Sequence, residues 1–215
     1  MPKFALMPLL AFTASAALVV AATLSVCAQT PVPAPPPKAA APESSATEET
    51  IVLAGGCFWG VQEVFQHVEG VERAVAGYAG GTVANPSYRQ VSSGTTGHAE
   101  SVEVTFDPRK IGLGEILRIY FSVAHDPTEV DRQGPDEGTQ YRSEIFAADA
   151  GDAQFARDYI AELNAAELFG RPIATKVETL AAFYPAESYH QDYAVKHPAE
   201  PYIVFNDAPK VEALK

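Results

Sequence analysis

"LAGGCFWGVQEVF", residues 53–65, decides how this chain is organised. The β-branched run "ETIVL" leads into it and ends on glycines, which reads as a buried strand that stops abruptly. From Phe58 onward, Phe58, Val61, Val64, Phe65 and Val68 recur at helical spacing. The glycine pair lets the backbone turn tightly between strand and helix. Cys57 stands at that turn. It is one of two cysteines in 215 residues, and the single tryptophan, Trp59, lies beside it.

Working outward, "VERAVAGYAGG" (71–81) reads as a second glycine-closed strand. "HAESVEVTFDP" (98–108) alternates Val102, Val104 and Phe106 against polar residues, a half-buried strand ended by Pro108. "LGEILRIYFSVAH" (113–125) is an amphipathic helix, "SEIFAAD" (143–149) a strand and "GDAQFARDYIAELNAAEL" (151–168) a helix. "ATKVETLAAFYPA" (174–186) reads as one further strand. The tail from Glu187 reads as a short helix followed by irregular chain. The polar stretches 82–97 and 126–142 are long loops, and long loops in compact domains are often functional. The pattern predicts an α+β fold, a two-layer mixed or antiparallel sheet with helices packed on it.

The amino terminus is of another kind. Lys3 precedes an apolar run from Phe4 to Val26, the form of an export signal. Cleavage after Ala28 is the first reading. An uncleaved anchor over residues 4–26 and lipidation at Cys27 are the alternatives. All three put the domain outside the cytoplasm, in the bacterial periplasm. "TPVPAPPPKAAAPESSATEET" (30–50) is Pro/Ala-rich and then polar, a semi-extended linker. The expected division is 1–28 signal or anchor, 29–48 linker, 49–210 folded domain and 211–215 tail. A formal net charge of −12 with no basic stripe argues against a nucleic-acid partner.

An exported domain whose only cysteine is Cys57 has no disulfide framework. A helix start presents free N–H groups and partial positive charge, which predicts an exposed thiol of lowered pKa. Phe58 and Trp59 point in different directions from one helix, so Trp59 is expected at the mouth. An aromatic wall beside a thiolate suits a thioether or small apolar group. A thiolate attacking a polarised atom needs an acid, for which Glu100 and Asp136 are candidates, and Tyr88 and Tyr141 are candidate donors to a developing oxyanion. Rival readings are a thiol peroxidase, a Cys–His hydrolase using His98, His125 or His190, and an exported binding domain in which "GCFWG" is core. No CxxC or HExxH supports a metal site.

"GGCFWG" (55–60), "GYAGG", "PSYRQV", "GHAESV", "HDPT", "RQGPDEGTQYRS" and "YHQDY" follow one another from Gly55 to Tyr193. Together they resemble the peptide methionine sulfoxide reductase A family, and "PAEPYIVFNDAPK" is similar to its C-terminal segment. The resemblance implies a ferredoxin-like core and reduction of the S epimer of methionine sulfoxide, free or in peptides and oxidised proteins. It implies Cys57 as the nucleophile, Glu100 as the acid, Phe58 and Trp59 as the wall against the S-methyl group, and Tyr88, Tyr141 and Asp136 as the polar side that holds the oxygen. It implies a monomer with no bound cofactor, recycled by an external thiol such as thioredoxin or a thioredoxin-like protein. Many relatives carry a resolving cysteine after "PY". Here that place reads Pro201-Tyr202-Ile203, so the sulfenic acid is left for a thiol from outside. Both methionines, Met1 and Met7, lie in the leader, so the domain itself has none to be oxidised.

Overall fold

A six-stranded sheet, in the order β7 (Lys176–Thr179), β6 (Ser143–Ala147), β1 (Glu49–Gly55), β3 (Ala99–Phe106), β2 (Val71–Ala79) and β8 (Phe183–Pro185), organises the computed structural model, which describes residues 31–42 and 45–214. At its centre β1 (Glu49–Gly55) pairs antiparallel with β3 (Ala99–Phe106) and β6 (Ser143–Ala147). On the far side of β3 runs β2 (Val71–Ala79), also antiparallel. The helix α1 (Phe58–Gln66) joins β1 to β2, and α3 (Leu113–Ile119) lies between β3 and β6. That is the split βαβ arrangement of a ferredoxin-like core, as expected. The 16-residue α4 (Ala150–Ala165) follows β6, capped by Asp149, whose carboxylate accepts from the N–H groups of Gly151 and Asp152.

The helices cover one face. Leu53, Ala76, Val102, Val104 and Ile145 meet Val61, Val64, Phe65, Ile116 and Leu117 in one core. The other face is buried as well. Val52, Ala54, Ala79, Ala99 and Phe146 form a second cluster, against which Leu180 and Phe183 pack. So β3 is buried on both faces along nearly its whole length, where alternation alone predicts one.

The stretch 174–186 is two strands rather than one. β7 (Lys176–Thr179) runs parallel to β6, whereas β8 (Phe183–Pro185) pairs with β2 at the opposite edge. A flat six-stranded sheet would separate its edges by about 24 Å at ~4.8 Å per strand. The four Cα steps from Thr179 to Phe183 reach at most about 14 Å. The sheet therefore curls until its edges approach, and the second cluster fills the inside of the curl. No glycine or proline marks the break between Thr179 and Phe183, which is why the sequence reads as continuous.

Both long loops carry short elements. α2 (Tyr88–Ser92) begins where the Gln90 amide oxygen accepts from the N–H of Ser87 at 2.9 Å. In 126–142 a two-residue hairpin, β4 (Arg132–Gln133) and β5 (Asp136–Glu137), turns at Gly134-Pro135 and leads into a 3-10 turn at Thr139–Tyr141. The tail is more regular than expected. After α5 (Tyr193–Lys196), a π-turn at Ile203–Asp207 continues into α6 (Ala208–Leu214). The boundary drawn at 210 thus falls inside a helix. Pro209 occupies the first turn of α6, directly after the π-turn.

The start of the linker lies on the domain. Val32 and Ala34 donate their N–H groups to the carbonyl and hydroxyl of Ser122 at 3.2 and 2.9 Å. The Tyr159 hydroxyl donates to the carbonyl of Pro35 at 2.6 Å, and Ala34 is buried. Proline-rich backbone is already extended, so docking it forfeits little entropy. The expected export segment, with Cys27, lies outside the described residues. No helix among the described residues is long and apolar enough to cross a membrane.

Candidate active site

Cys57 occupies the N-cap position of α1, immediately beyond β1. Gly56 makes the turn with φ +88°, and a Cβ there would meet the Gln133 side chain at 2.5 Å. Only glycine satisfies both demands. Gln133 is in turn held by two hydrogen bonds to the Asp126 backbone, which ties the 126–142 loop to the thiol.

The thiol is not the exposed, acidified group that its helix position predicts. Cys57 is buried, and burial pushes its pKa well above the ordinary thiol value, with Glu100, Asp207 and Asp136 adding to the rise. The Trp59 N–H opposes this from within the helix start. The magnitudes explain the order. A helix terminus is worth about 0.3–1 kcal/mol, less than one pH unit, whereas full desolvation moves a group by up to about 3–5 units. The resting centre is a neutral thiol.

Glu100 lies on β3 in the row of Val102, Val104 and Phe106, the face turned to α1. Strand alternation thus carries a carboxyl group into the core, where it is 2 % exposed. Its Oε2 accepts the Phe58 N–H at 3.1 Å, one residue from the thiol. Burial, with Asp136 and Asp207 nearby, raises its pKa to about 8, while the Phe58 N–H works the other way. At neutral pH Glu100 therefore holds a proton beside Cys57.

Tyr88 opens α2 and Tyr141 closes the 3-10 turn; both are partly buried. Burial is the main reason that both phenols are held neutral, and Glu100 and Cys57 act on each of them. Tyr141 also feels Tyr88 and Asp136. The two loops thus bring their phenols to the carboxyl–thiol pair. Asp136, on β5, accepts a hydrogen bond from Tyr202, and burial raises its pKa. All seven residues singled out from the sequence belong to this one neighbourhood.

Phe58 is fully enclosed, with its ring 5.9 Å from Tyr78 and 5.0 Å from His190. Trp59 is half-buried and held from three directions. It stacks on Tyr193 at 3.9 Å and 12°, meets Tyr202 edge-on at 5.9 Å, and donates from Nε1 to His190 Nδ1 at 3.2 Å. Tyr193, Tyr202 and Asp207 were not among the residues that the sequence put at the site, and His190 was named only as a partner in the hydrolase reading. His190 and Tyr193 lie in the quoted "YHQDY", and Tyr202 beside Ile203, so the signal was present without its spatial meaning. Glu187 joins this tail to α2, accepting from the Tyr78 hydroxyl and the Tyr88 N–H, each at 2.9 Å.

The histidines do not supply a base. His98 is bonded to Gly81 N–H and Val83 carbonyl, and His125 to the Tyr120 carbonyl and Ser143 hydroxyl. Burial keeps His125 neutral, with its pKa near 3. Among the described residues no hydrogen bond joins a histidine to Cys57, so the hydrolase reading lacks its pair. Nor do the described residues hold a cluster of three or more potential metal ligands among His, Cys, Asp and Glu. The thiol opens on a cavity of about 40 Å³ lined by Asp136, Tyr202, Phe205 and Lys210. A larger cavity of about 610 Å³, between Phe121 and Leu168, does not include the thiol. Its size carries no chemistry; the smaller one is marked by the thiol, with Asp136 and Tyr202 beside it.

A thiol, a protonated carboxyl bonded to the next residue and two phenols that feel both suit reduction of a polar S–O bond. Comparison with known proteins agrees with that chemistry. The family model for peptide methionine sulfoxide reductase matches residues 49–215. Peptide methionine sulfoxide reductase MsrA 2 of Mesorhizobium japonicum is 57% identical over 167 residues, covering 78% of this chain and 86% of that protein. The MsrA of Deinococcus radiodurans is 46% identical over 168 residues, 78% of this chain and 81% of its own length. Among solved structures, reduced Mxr1 from Saccharomyces cerevisiae aligns with a TM-score of 0.69 at 34% identity, covering 77% of this chain and 94% of that one. Methionine sulfoxide reductase A of Corynebacterium diphtheriae aligns at 0.63 and 40% identity, covering 78% and 84%. The chain belongs to the peptide methionine sulfoxide reductase family and is an oxidoreductase of methionine sulfoxide.

Proposed function

We propose that this enzyme reduces the S epimer of methionine sulfoxide, free and in oxidised proteins, through a cycle that uses Cys57 alone. Glu100 delivers its proton to the sulfoxide oxygen, which Tyr88 and Tyr141 hold by hydrogen bonds. The Cys57 sulfur bonds to the activated sulfoxide sulfur and its thiol proton returns to Glu100. Methionine leaves as the oxygen passes to Cys57, so that Cys57–SH and R₂S=O become Cys57–S–OH and R₂S. The S-methyl group rests against Phe58 and Trp59, whose faces favour contact with a thioether. The observation that carries this reading is the protonated, buried Glu100, bonded to the residue next to a lone thiol.

Regeneration falls to a second molecule. Ile203 stands where a resolving thiol would be needed, and Cys57 is the one free cysteine of the described residues. A dithiol of the thioredoxin kind attacks the sulfenic sulfur, releases water and then resolves the mixed disulfide. In this reading the enzyme works as a monomer and takes its electrons from that external dithiol. A single pulse of methionine sulfoxide without reductant is expected to yield one methionine per chain, together with nearly stoichiometric labelling of Cys57 by a sulfenic-acid probe. Methionine formed with an intrachain disulfide instead would overturn the one-thiol cycle.

We further propose that residues 1–28 direct export and that the mature enzyme repairs proteins in the periplasm. The apolar run after Lys3 and the Pro/Ala-rich stretch behind it support this. Mass spectrometry of the native protein is expected to find Gln29 at the N-terminus in the periplasmic fraction. A full-length chain soluble in the cytoplasm would refute export.

A further inference from the structure

Asp207 is the last residue of the π-turn before α6, and its side chain is completely buried. It lodges against the first turn of α1, where a Cβ on Gly60 would lie 2.1 Å from its Oδ1. The second glycine of "GCFWG" thus leaves room for this carboxylate two residues from Trp59's other neighbour, Phe58. Oδ1 accepts from Lys210 Nζ at 3.3 Å, while Oδ2 accepts no hydrogen bond among the described residues. The groups that act on it or feel it are Cys57 at the cap of α1, Glu63 on α1, Glu100 on β3, Asp136 on β5, Tyr202 just before its own turn and Lys210 on α6. A half-satisfied buried carboxylate costs stability that an apolar side chain of similar size would not. Such a group, kept beside a reactive sulfur, calls for a use.

We propose that Asp207 is a positioning residue that keeps the oxidised Cys57 in its neutral sulfenic acid form and so protects it from a second oxidation. The inference rests on the one-thiol cycle above. A sulfenate anion takes a second oxygen from peroxide, Cys57–S–O⁻ + H₂O₂ giving Cys57–SO₂⁻ + H₂O, and that product is lost to the cycle. The neutral acid is the form from which a thiolate displaces water, Cys57–S–OH + RS⁻ + H⁺ giving Cys57–S–S–R + H₂O. A fixed anion beside the sulfur disfavours the first form and spares the second. Glu100, with its pKa near 8, is protonated at neutral pH, whereas Asp207, near 6, is charged. Asp207, seated against Gly60 with one oxygen on Lys210, is thus a negative charge whose field reaches Cys57. It lies four residues after Ile203, in the turn that lacks the resolving thiol. A sulfenic acid that must wait for a partner needs this protection most.

The test compares wild type with Asp207→Asn, which keeps the shape and removes the charge. Each protein receives one equivalent of methionine sulfoxide, then hydrogen peroxide, and the sulfinic acid is followed by intact mass. The variant is expected to form it roughly tenfold faster, the effect of a one-unit change in an acid's ionisation. Alkylation of the reduced thiol by iodoacetamide should also move to lower pH in the variant, while the plateau rate at high pH, which loosened packing would raise, stays at the wild-type value. Freed Lys210 pushes in the same direction. Asp207→Ser carries the same expectation should the amide weaken α6. Equal sulfinic acid rates, or faster oxidation with an unmoved alkylation profile, would overturn the role of Asp207. A wild type that releases methionine yet carries no sulfenic acid would instead overturn the one-thiol cycle, and this inference with it.

Discussion

Glu100→Gln is expected to slow the first methionine-forming turnover by about 10²–10³-fold, the usual worth of a positioned acid. The amide keeps the shape of the carboxyl group, and its oxygen can still accept the Phe58 N–H, so the helix start should survive. What is lost is the proton that a sulfoxide oxygen needs before its sulfur becomes electrophilic. The pH profile gives the same residue a second test. Its pKa is raised to about 8, so the acid form persists through neutrality and ionises above that point. The single-turnover rate of the wild type should therefore be level below about pH 8 and fall above it. Rapid-quench measurement of methionine across pH checks both. A variant with near-wild-type rates would remove Glu100 from the mechanism. Tyr88→Phe or Tyr141→Phe alone should cost roughly tenfold, one hydrogen bond's worth, because the other phenol still serves.

Cys57→Ser is expected to abolish sulfoxide reduction, leaving only the background rate, while the thermal unfolding transition stays close to that of the wild type. A hydroxyl is a far weaker nucleophile at sulfur and leaves no sulfenic acid. The side chain is buried, but the replacement is nearly isosteric and the N-cap position favours serine. Methionine production by chromatography, with calorimetry on the same sample, decides the matter. Residual catalysis above background would mean that another group attacks the sulfoxide. Among the described residues there is no second cysteine to do so.

The two largest effects thus fall on residues that the sequence brings forward on different grounds. Cys57 is conspicuous as a lone thiol at a helix entrance. Glu100 is less so, because an acidic chain is full of solvated carboxylates. Its register with Val102, Val104 and Phe106 was the readable sign of burial, since period-two alternation puts all four on one face. The thiol's protonation went the other way. Local reasoning from the helix start predicted a lowered pKa, and enclosure by the tail and loops raised it.

By itself the sequence determined the secondary structure of the central sheet and its helices and the family motifs, and it brought forward Cys57, Glu100, Tyr88 and Tyr141 as candidates. These follow from periodicity, glycine positions and short segments whose meaning is local. The tertiary structure alone decided that 174–186 divides between opposite edges of a curled sheet, that the tail is helical, and that His190, Tyr193 and Tyr202 clamp Trp59. Each of these depends on contacts between residues more than a hundred positions apart or on closure of the whole sheet. Burial, which raises the pKa of Cys57, Glu100 and Asp207, is likewise a property of the assembled fold rather than of any segment.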